Sequence, residues 1–259
     1  MRVINQYEGP QIEKELRFGQ WSRQRNIKKL LFDLDDTLIP TRPVFIRQKN
    51  KLFDLLAEKA PVRTREEWVK ITEEVDKDSF AKLGVNPKRW QTTLKNTFAG
   101  VSGITNRLVE EANQIMADVY TTPIASYPEV EKTMTFLEKC DMEKYIVTHG
   151  NEPWSRKKME WSGLDKHFAD DEIYIVDENG HKTRDSWKKA MRFFGAKPEE
   201  SMGVGDSPMA DINPLAELGV RERVLIKNAK VDIWSVHKQE VNEETFVAAN
   251  IGELMHLRD

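Results

Sequence analysis

The stretch KKLLFDLDDTLIPT, residues 28–41, decides how the rest of the sequence is interpreted. Its apolar run LLF is typical of a buried strand, and three acids, Asp33, Asp35 and Asp36, follow at the tip of that run. Side chains two apart on a strand point to the same face, so Asp33 and Asp35 would crowd together. A divalent cation or a retained proton would relieve their repulsion. The stretch therefore indicates either a cation site built for chemistry or a strand that simply ends in solvent.

The composition of the chain limits the class of protein to which it can belong. Its 259 residues are 39% hydrophobic, which is enough for a packed core in one large or two modest domains. The 40 basic and 43 acidic residues nearly cancel, so we expect no nucleic acid and no membrane as a partner. The single cysteine, Cys140, excludes an intrachain disulfide and fits a reducing cytoplasm. The N-terminus lacks an apolar signal-peptide core, and we expect a soluble, cytoplasmic monomer or homodimer.

Short apolar runs alternate with helical patterns along most of the chain. Such alternation predicts an α/β fold with a parallel sheet covered on both faces. An open sheet of this kind binds its ligand outside the carboxyl ends of its strands. The strand-like runs are KLLFDL at 29–34, KYIVT at 144–148, EIYIV at 172–176, SMGVGD at 201–206, RVLIK at 223–227 and TFVAA at 245–249.

The alternation is interrupted between Pro43 and about Thr121 by a stretch that reads as almost wholly helical. Turn signals separate its segments, so we expect a helical insertion directly after the first strand. The first 27 residues are ambiguous, and a helix from Gln11 is one reading. The helices predicted in the insertion lie at 44–59, 64–80, 87–99 and 104–120.

A second pair of acids follows another of the predicted strands. In GDSPMAD, Asp206 comes directly after Gly205, and Asp211 lies at the start of a predicted helix. Gly205 would let the backbone turn tightly, and Asp211 taken alone could equally be a helix cap. Acids at the tips of two parallel strands meet at the same edge of the sheet, where they form a site for a hard cation with oxygen ligands.

Two further segments could hold an anion at that edge. KYIVTHG ends in a strand-end Thr148, whose hydroxyl could bind a phosphate together with the following backbone N–H groups, and Gly150 gives the chain room to turn. Lys182, just before a predicted helix, offers a mobile cation. Lys188 and Lys189 lie inside that helix and are poorer candidates. Taken singly, each of these residues is more often structural or a solvated surface charge.

In order and context, these segments resemble the four motifs of the haloacid dehalogenase (HAD) superfamily of hydrolases. The first motif, an apolar strand and then DxDxT, is LLFDLDDT, and the fourth, GDxxxxD, is GDSPMAD. The second, an apolar strand ending in Thr or Ser, is YIVT, and the third is a lysine before a helix. The resemblance covers about residues 28–257. The residues that carry it are Asp33, Asp35, Thr37, Thr148, Lys182, Gly205, Asp206 and Asp211.

The resemblance implies both an architecture and an activity. The fold would be a Rossmann-like parallel-sheet core of residues 1–42 and 122–259, with a helical C1 cap domain inserted at 43–121. The activity would be that of a magnesium-dependent phosphatase acting on a small phosphorylated metabolite. In this superfamily the first acid attacks phosphorus to give an aspartyl-phosphate, and the second protonates the leaving group and then activates water. Carried over, Asp33 is the nucleophile and Asp35 the general acid and base.

The resemblance also implies which groups would bind magnesium. The ligands would be the carboxylate of Asp33, the backbone carbonyl of Asp35 and the carboxylate of Asp206. Asp211 would be a further ligand, directly or through water. Charge neutralisation of this kind is what phosphoryl transfer needs.

The phosphoryl oxygens would be bound on the other side of the nucleophile. Thr148 and Lys182 would hold them, with Gly150 beside them, and Lys182 would also offset the charge of the nucleophile. His149 stands where many relatives carry Asn. It is either a substrate contact or a bystander whose backbone N–H matters.

The residues argue against some members of the same superfamily and leave others open. Dehalogenases and phosphonate hydrolases lack the second acid of motif one, so Asp35 argues against both. A non-enzymatic binding module would be expected to lack the nucleophile or a metal ligand, and none is missing. A phosphotransferase stays open, because the same intermediate could pass to an acceptor hydroxyl. Conceivable substrate contacts, each expected singly to be a solvated surface charge, are Arg42, Arg47, Lys49 and Arg89.

Overall fold

The computed structural model of the chain describes residues 1–4, 6–177, 182–227, 241 and 244–257. Within these residues the chain forms a sheet of seven parallel strands. They are β1 (Arg2–Val3), β2 (Lys29–Phe32), β3 (Glu143–His149), β4 (Ile173–Val176), β5 (Ser201–Gly205), β6 (Glu222–Ile226) and β7 (Phe246–Ala248). The order across the sheet is β1-β7-β6-β5-β2-β3-β4. β2 therefore lies between β5 and β3, which brings the ends of the three motif-bearing strands together.

The side chains of β2 alternate between the two faces of the sheet. Leu30 and Phe32 belong to one buried cluster, and Leu31 belongs to another that includes Val147 and Trp187. All five side chains are fully buried. A strand buried on both faces is typical of a parallel sheet with helices on each side. The predicted α/β fold with a parallel sheet is confirmed.

Helices connect the strands and cover the sheet. By length and apolar content, none of those in the described ranges could span a membrane. The described chain closes with a 3₁₀ helix at Ile251–His256. The α-helices are α1 (Gln11–Gln24), α2 (Thr41–Lys59), α3 (Arg65–Leu83), α4 (Lys88–Phe98), α5 (Asn106–Ala117), α6 (Val130–Lys139), α7 (Glu152–Ser162), α8 (Arg184–Phe193) and α9 (Asn213–Glu217).

The helices α2 to α5 follow β2 and pack chiefly against one another. Trp68 and Phe98 pack edge-to-face inside this group, with ring centroids 6.1 Å apart. Thr64 starts α3 with a side-chain cap that satisfies an N–H at the helix end. α2 begins at Thr41 and runs without a break through residue 43, where the cap was predicted to begin. The division into a core and a cap stays a prediction.

Residues 1–27, which the sequence leaves ambiguous, contribute to the core. β1 pairs with β7 at the edge of the sheet. α1 buries Phe18 against Phe136 and Trp21 against Phe246, with ring centroids 5.3 and 6.2 Å apart. These two aromatic side chains, three residues apart on one helix face, attach the N-terminal segment to α6 and to β7.

Candidate active site

The loop after β2 carries the acids of the motif stretch. The pairing of β2 with its neighbours ends at Phe32, although the N–H of Asp33 still donates to the carbonyl of Val204 at 2.9 Å. The chain then turns, and Asp36 takes a left-handed φ of 62°. Because Asp33 and Asp35 lie beyond the end of the strand, strand alternation does not set their directions. Each of the two carboxylates has its own partners.

The carboxylate of Asp33 is buried and has two side-chain partners. Thr37 Oγ1 donates to its Oδ2 at 3.1 Å, and Lys182 Nζ donates to its Oδ1. Lys182 is itself buried, and its Nζ also lies 2.6 Å from Oδ1 of Asp211 and 3.1 Å from the carbonyl oxygen of Val147. One ammonium therefore joins the loop after β2, the end of β3 and the segment after β5.

Asp206 and Asp211 form a group of acids with Asp33. The three contribute carboxylate oxygens that lie within 4.8 Å of one another. Asp211 is buried and accepts a hydrogen bond from the N–H of Ser207 at 2.9 Å. Gly205 makes room for it, because a Cβ at that position would stand 2.4 Å from Oδ2 of Asp211. The φ of Gly205 is not positive, so this glycine allows a close side-chain approach and not the tight turn that the sequence suggested.

These three acids, the acid cluster, carry more negative charge than their neighbours balance. Burial raises the pKa of Asp33 to about 7 against the lowering effect of Lys182. Burial also raises the pKa of Asp206 well above its usual value, and repulsion from Asp33 and Asp211 adds to the rise. Burial lowers the pKa of Lys182, but the carboxylates of Asp211 and Asp33 outweigh it, and the net shift is upward. A bound cation would relieve this excess of negative charge.

Arg42, near the start of α2, also contacts the acids. Its guanidinium lies 2.9 Å from Oδ2 of Asp206 and 3.3 Å from Oδ2 of Asp36. The backbone N–H of Arg42 donates to Oδ1 of Asp36 at 2.9 Å, so the Asp36 side chain caps the first turn of α2. Burial raises the pKa of Asp36 to about 6, against the lowering effect of Arg42. The expectation of a solvated surface charge is wrong for Arg42, and also for Arg89, which is buried 3.1 Å from Asp76.

Thr148, His149 and Gly150 lie at the carboxyl end of β3. Thr148 is fully buried, and its Oγ1 has no hydrogen-bond partner among the described residues. Gly150 makes room for Ser155, whose hydroxyl lies 2.9 Å from where a Cβ would stand and is likewise buried without a partner in that part of the chain. His149 is half-buried at the last position of the strand. Since buried hydroxyls are nearly always paired, Thr148 and Ser155 retain hydrogen-bonding capacity for a ligand.

Asp35 lies outside the acid cluster and has different partners. Lys158 Nζ lies 2.6 Å from each of its carboxylate oxygens, and Thr41 Oγ1 donates to Oδ1. Lys158 is fully buried in α7, and its Nζ lies 4.0 Å from the ring centroid of Trp154. The metal contact predicted for Asp35 runs through its backbone carbonyl and stays a prediction.

Lys158 is the charged residue of this site that sequence reasoning missed. It ends the run RKK at 156–158, which looks like a solvated helix surface. The signal that could have identified it is helical spacing, because Lys158 lies four residues after Trp154 and so shares its face. A lysine at an apolar-face position has a charge that needs a buried partner.

The chain is similar to known proteins over most of its length. A sequence model of the haloacid dehalogenase-like hydrolase family matches residues 30–222. A glyceraldehyde 3-phosphate phosphatase from Pyrococcus furiosus is 28% identical over 209 residues, which is 76% of this chain and 80% of that protein.

Solved structures with the same fold support the architecture. A haloacid dehalogenase-like hydrolase from Xanthomonas campestris has a TM-score of 0.67 at 17% identity, over 94% of this chain and 92% of that one. A 2-haloacid dehalogenase from Pseudomonas syringae pv. tomato has a TM-score of 0.57 at 20% identity, over 88% of this chain and 96% of that one. At such low identities the likeness bears on the fold alone.

Proposed function

The chain belongs to the haloacid dehalogenase-like hydrolase family, and we propose that it is a magnesium-dependent phosphatase for a small phosphorylated metabolite. The observation that carries the proposal is the acid cluster of Asp33, Asp206 and Asp211, with Lys182 between two of its members. Charge neutralisation and positioning dominate phosphoryl transfer, and this cluster offers both. The relative named for glyceraldehyde 3-phosphate supports a small phosphorylated substrate.

In the first step of the proposed reaction, Asp33 acts as the nucleophile. One of its carboxylate oxygens forms a bond to phosphorus while the bond from phosphorus to the leaving oxygen breaks, which gives an aspartyl-phosphate. Asp35 transfers its proton to the leaving oxygen, so the product departs as an alcohol. Lys182, which donates to Asp33, offsets the negative charge that the phosphoryl group brings.

In the second step, water removes the phosphoryl group. Asp35, now ionised, takes a proton from the water molecule whose oxygen attacks phosphorus, and the bond from phosphorus to Asp33 breaks. Inorganic phosphate leaves, Asp33 is again a carboxylate and Asp35 again holds a proton. The buried hydroxyl of Thr148 and the ammonium of Lys182 hold the phosphoryl oxygens, with His149 flanking them.

The donor set fits magnesium. Three carboxylates whose oxygens lie within 4.8 Å of one another are the hard ligands that this ion prefers. The raised pKa values of Asp33 and Asp206 reflect burial and an excess of negative charge that a divalent cation would balance. Asp33, Asp206 and Asp211 would hold the ion, together with the backbone carbonyl of Asp35. When bound, it neutralises charge on the phosphoryl oxygens.

We further propose that residues 43–121 act as a cap that covers the acids and selects the substrate. Arg42 connects the start of this segment to the acid cluster. Phe45 and Tyr120, near its two ends, both pack edge-on against Trp154 of α7, with ring centroids 6.1 and 4.8 Å apart. Movement of the cap helices would therefore displace residues that contact the acid cluster and α7.

The experiment that tests the proposed function is a phosphate-release screen over sugar phosphates, triose phosphates, phosphorylated amino acids and nucleotides. We expect release that chelation abolishes and magnesium restores, and none from Asp33→Asn. Full activity in excess chelator would contradict the metal assignment. Phosphate transferred to an added alcohol in preference to water would favour a phosphotransferase.

A dehalogenase is the second activity to exclude, because the fold is shared with such enzymes. Carbon–halogen cleavage produces a halide that needs no proton, so neither proton donation by Asp35 nor a metal at the acid cluster would have a task. We expect no halide release from 2-chloropropionate. Release at a rate comparable to that of phosphate would overturn the proposal.

A further inference from the structure

We propose that Lys158 is a positioning residue for Asp35, which it holds in the direction needed to protonate the leaving group. The inference rests on the proposed function, since it takes Asp35 as the general acid. Its starting point is the contact of one ammonium with both oxygens of one carboxylate, at 2.6 Å each.

The ammonium of Lys158 is held in place by the core. The side chain is fully buried, and Nζ lies 4.0 Å from the ring centroid of Trp154. α7 is anchored directly after β3, where the side chain of Asn151 accepts a hydrogen bond from the N–H of Trp154 at 3.2 Å. A lysine enclosed in this way has lost the rotamer freedom of a surface lysine, so it acts as a fixed charge.

The pair is asymmetric in exposure. The side chain of Lys158 is 0% exposed, whereas that of Asp35 is 27% exposed. Thr41 Oγ1, at the start of α2, is a second donor to the same carboxylate. The carboxylate of Asp35 is therefore held from the core and from α2, and its remaining surface is open to a substrate. A general acid held in one direction is what efficient proton donation requires.

The two buried lysines of the site have separate acids. Lys182 pairs with Asp33 and Asp211, and Asp35 is the acid within ion-pair distance of Lys158 in the described parts of the chain. A change at Lys158 should therefore affect proton donation and spare nucleophilic attack. Leaving groups that need no proton distinguish these two effects.

The first experiment compares Lys158→Met with Lys157→Met, the same change at the exposed neighbour. The readout is kcat/KM for 2-phosphoglycerol, whose alkoxide needs a proton, and for 4-nitrophenyl phosphate, whose phenolate does not. We expect Lys158→Met to lose about 10- to 100-fold on the first substrate and less than about threefold on the second. Lys157→Met should change neither. Equal losses on both substrates would overturn the proposal.

The second experiment repeats Lys158→Met in an Asp35→Asn background, with 2-phosphoglycerol as substrate and labelled phosphate as readout. With the general acid already removed, its positioning residue should make no further difference. A loss that multiplies with that of Asp35→Asn would overturn the proposal. This background leaves no carboxylate unpaired at residue 35, so the comparison also decides the matter if Lys158→Met alone fails to fold.

Failure of the proposed function is recognised separately, because the unmodified chain would then release phosphate from no compound of the screen, these two substrates included. In that event, crystal structures of the unmodified chain and of Lys158→Met decide the positioning role. We expect the Asp35 carboxylate to move by about 1 Å or more when Lys158 is removed, a displacement large enough to affect catalysis. An unchanged carboxylate position would overturn the proposal.

Discussion

The two buried lysines of the site lie in opposite charge environments. Lys182 stands beside the acid cluster, where three carboxylates contribute oxygens within 4.8 Å of one another. Among the described residues, Lys158 faces a single acid, Asp35, so no excess of negative charge collects there. An excess of negative charge prepares the acid cluster to receive a cation, whereas the contact with Lys158 holds one carboxyl group in place.

The largest effect on turnover should follow from a change in the acid cluster. Asp33→Asn keeps the size of the side chain but removes the attacking oxygen, so we expect turnover to fall by at least about 10⁴-fold. No phosphoenzyme should form, even from 4-nitrophenyl phosphate. Mass spectrometry of the peptide around residue 33 after an acid quench measures this. The control is Asp171→Asn at an exposed acid. A normal phosphoenzyme in Asp33→Asn, with label on Asp35, would mean that the two roles are reversed.

A change at Asp35, the acid that contacts Lys158, should affect turnover in a different way. Asp35→Asn leaves the nucleophile in place but removes proton donation, which is worth about 10²–10⁴-fold in rate. In single-turnover measurements the defect should shrink for 4-nitrophenyl phosphate. Because water activation is also impaired, phosphoenzyme should accumulate and add mass to the Asp33 peptide. If Asp35→Asn lost the same factor in rate with every leaving group, Asp35 would not be the proton donor.

The excess negative charge of the acid cluster should make the free energy of unfolding depend on pH, even without substrate. Burial raises the pKa of Asp33 to about 7 and that of Asp206 well above its usual value, so the folded chain without metal keeps protons that the unfolded chain releases. For Asp33 this contribution is complete below about pH 4 and is lost as the pH rises through its folded pKa of about 7. We expect the free energy of unfolding in chelator to fall by on the order of 2 kcal/mol over that window. Urea unfolding measures it.

Magnesium should reverse this loss, because it binds the ionised carboxylates of the folded chain. Asp206→Asn should weaken the stabilisation by the metal, whereas Lys158→Met should leave it in place. Equal weakening in both variants would show that the two regions are one electrostatic unit.

The smallest effect comes from a pairing away from the site. Nδ1 and Nε2 of His167 each lie 2.9 Å from a carboxylate, those of Glu138 and Glu131. Burial lowers the pKa of His167, but the hydrogen bonds to both glutamates outweigh it and raise the pKa above its usual value. The stabilisation is present below about pH 6.5 and is lost as the pH rises through the folded pKa.

Because both glutamates are partly exposed, His167→Gln should cost less than about 1 kcal/mol at pH near 5.5 and nothing near pH 9. Thermal unfolding at the two pH values measures the difference. The same cost at both pH values would mean that His167 stabilises the fold by packing and not by its ion pairs with the two glutamates.

The sequence was sufficient where a residue's position follows from its strand. Asp33 and Asp206 follow neighbouring parallel strands, so their meeting at one edge could be predicted. Lys182 was preferred over Lys188 and Lys189, and the structure buries Lys182 beside Asp33 and leaves the other two exposed. These predictions needed only sheet geometry and helix position.

The sequence was insufficient where a charge is paired over a long distance. Lys158 and Asp35 lie 123 residues apart, and Arg42 and Asp206 lie 164 residues apart. Each cation looks like a surface charge until the fold supplies its partner. The directions of Asp33 and Asp35 were also out of reach, because the turn beyond Phe32 replaces strand alternation.

The start of α2 at Thr41 has a consequence for protein engineering. Thr41 donates to Asp35 and Arg42 contacts Asp206, so the first two residues of this helix belong to the site, and the proposed cap would begin only after them. A chimera that exchanges the insertion for that of another family member must be joined after Arg42, inside a continuous helix. Such a junction has to preserve helical phase, since adding or deleting one residue rotates everything that follows by about 100°.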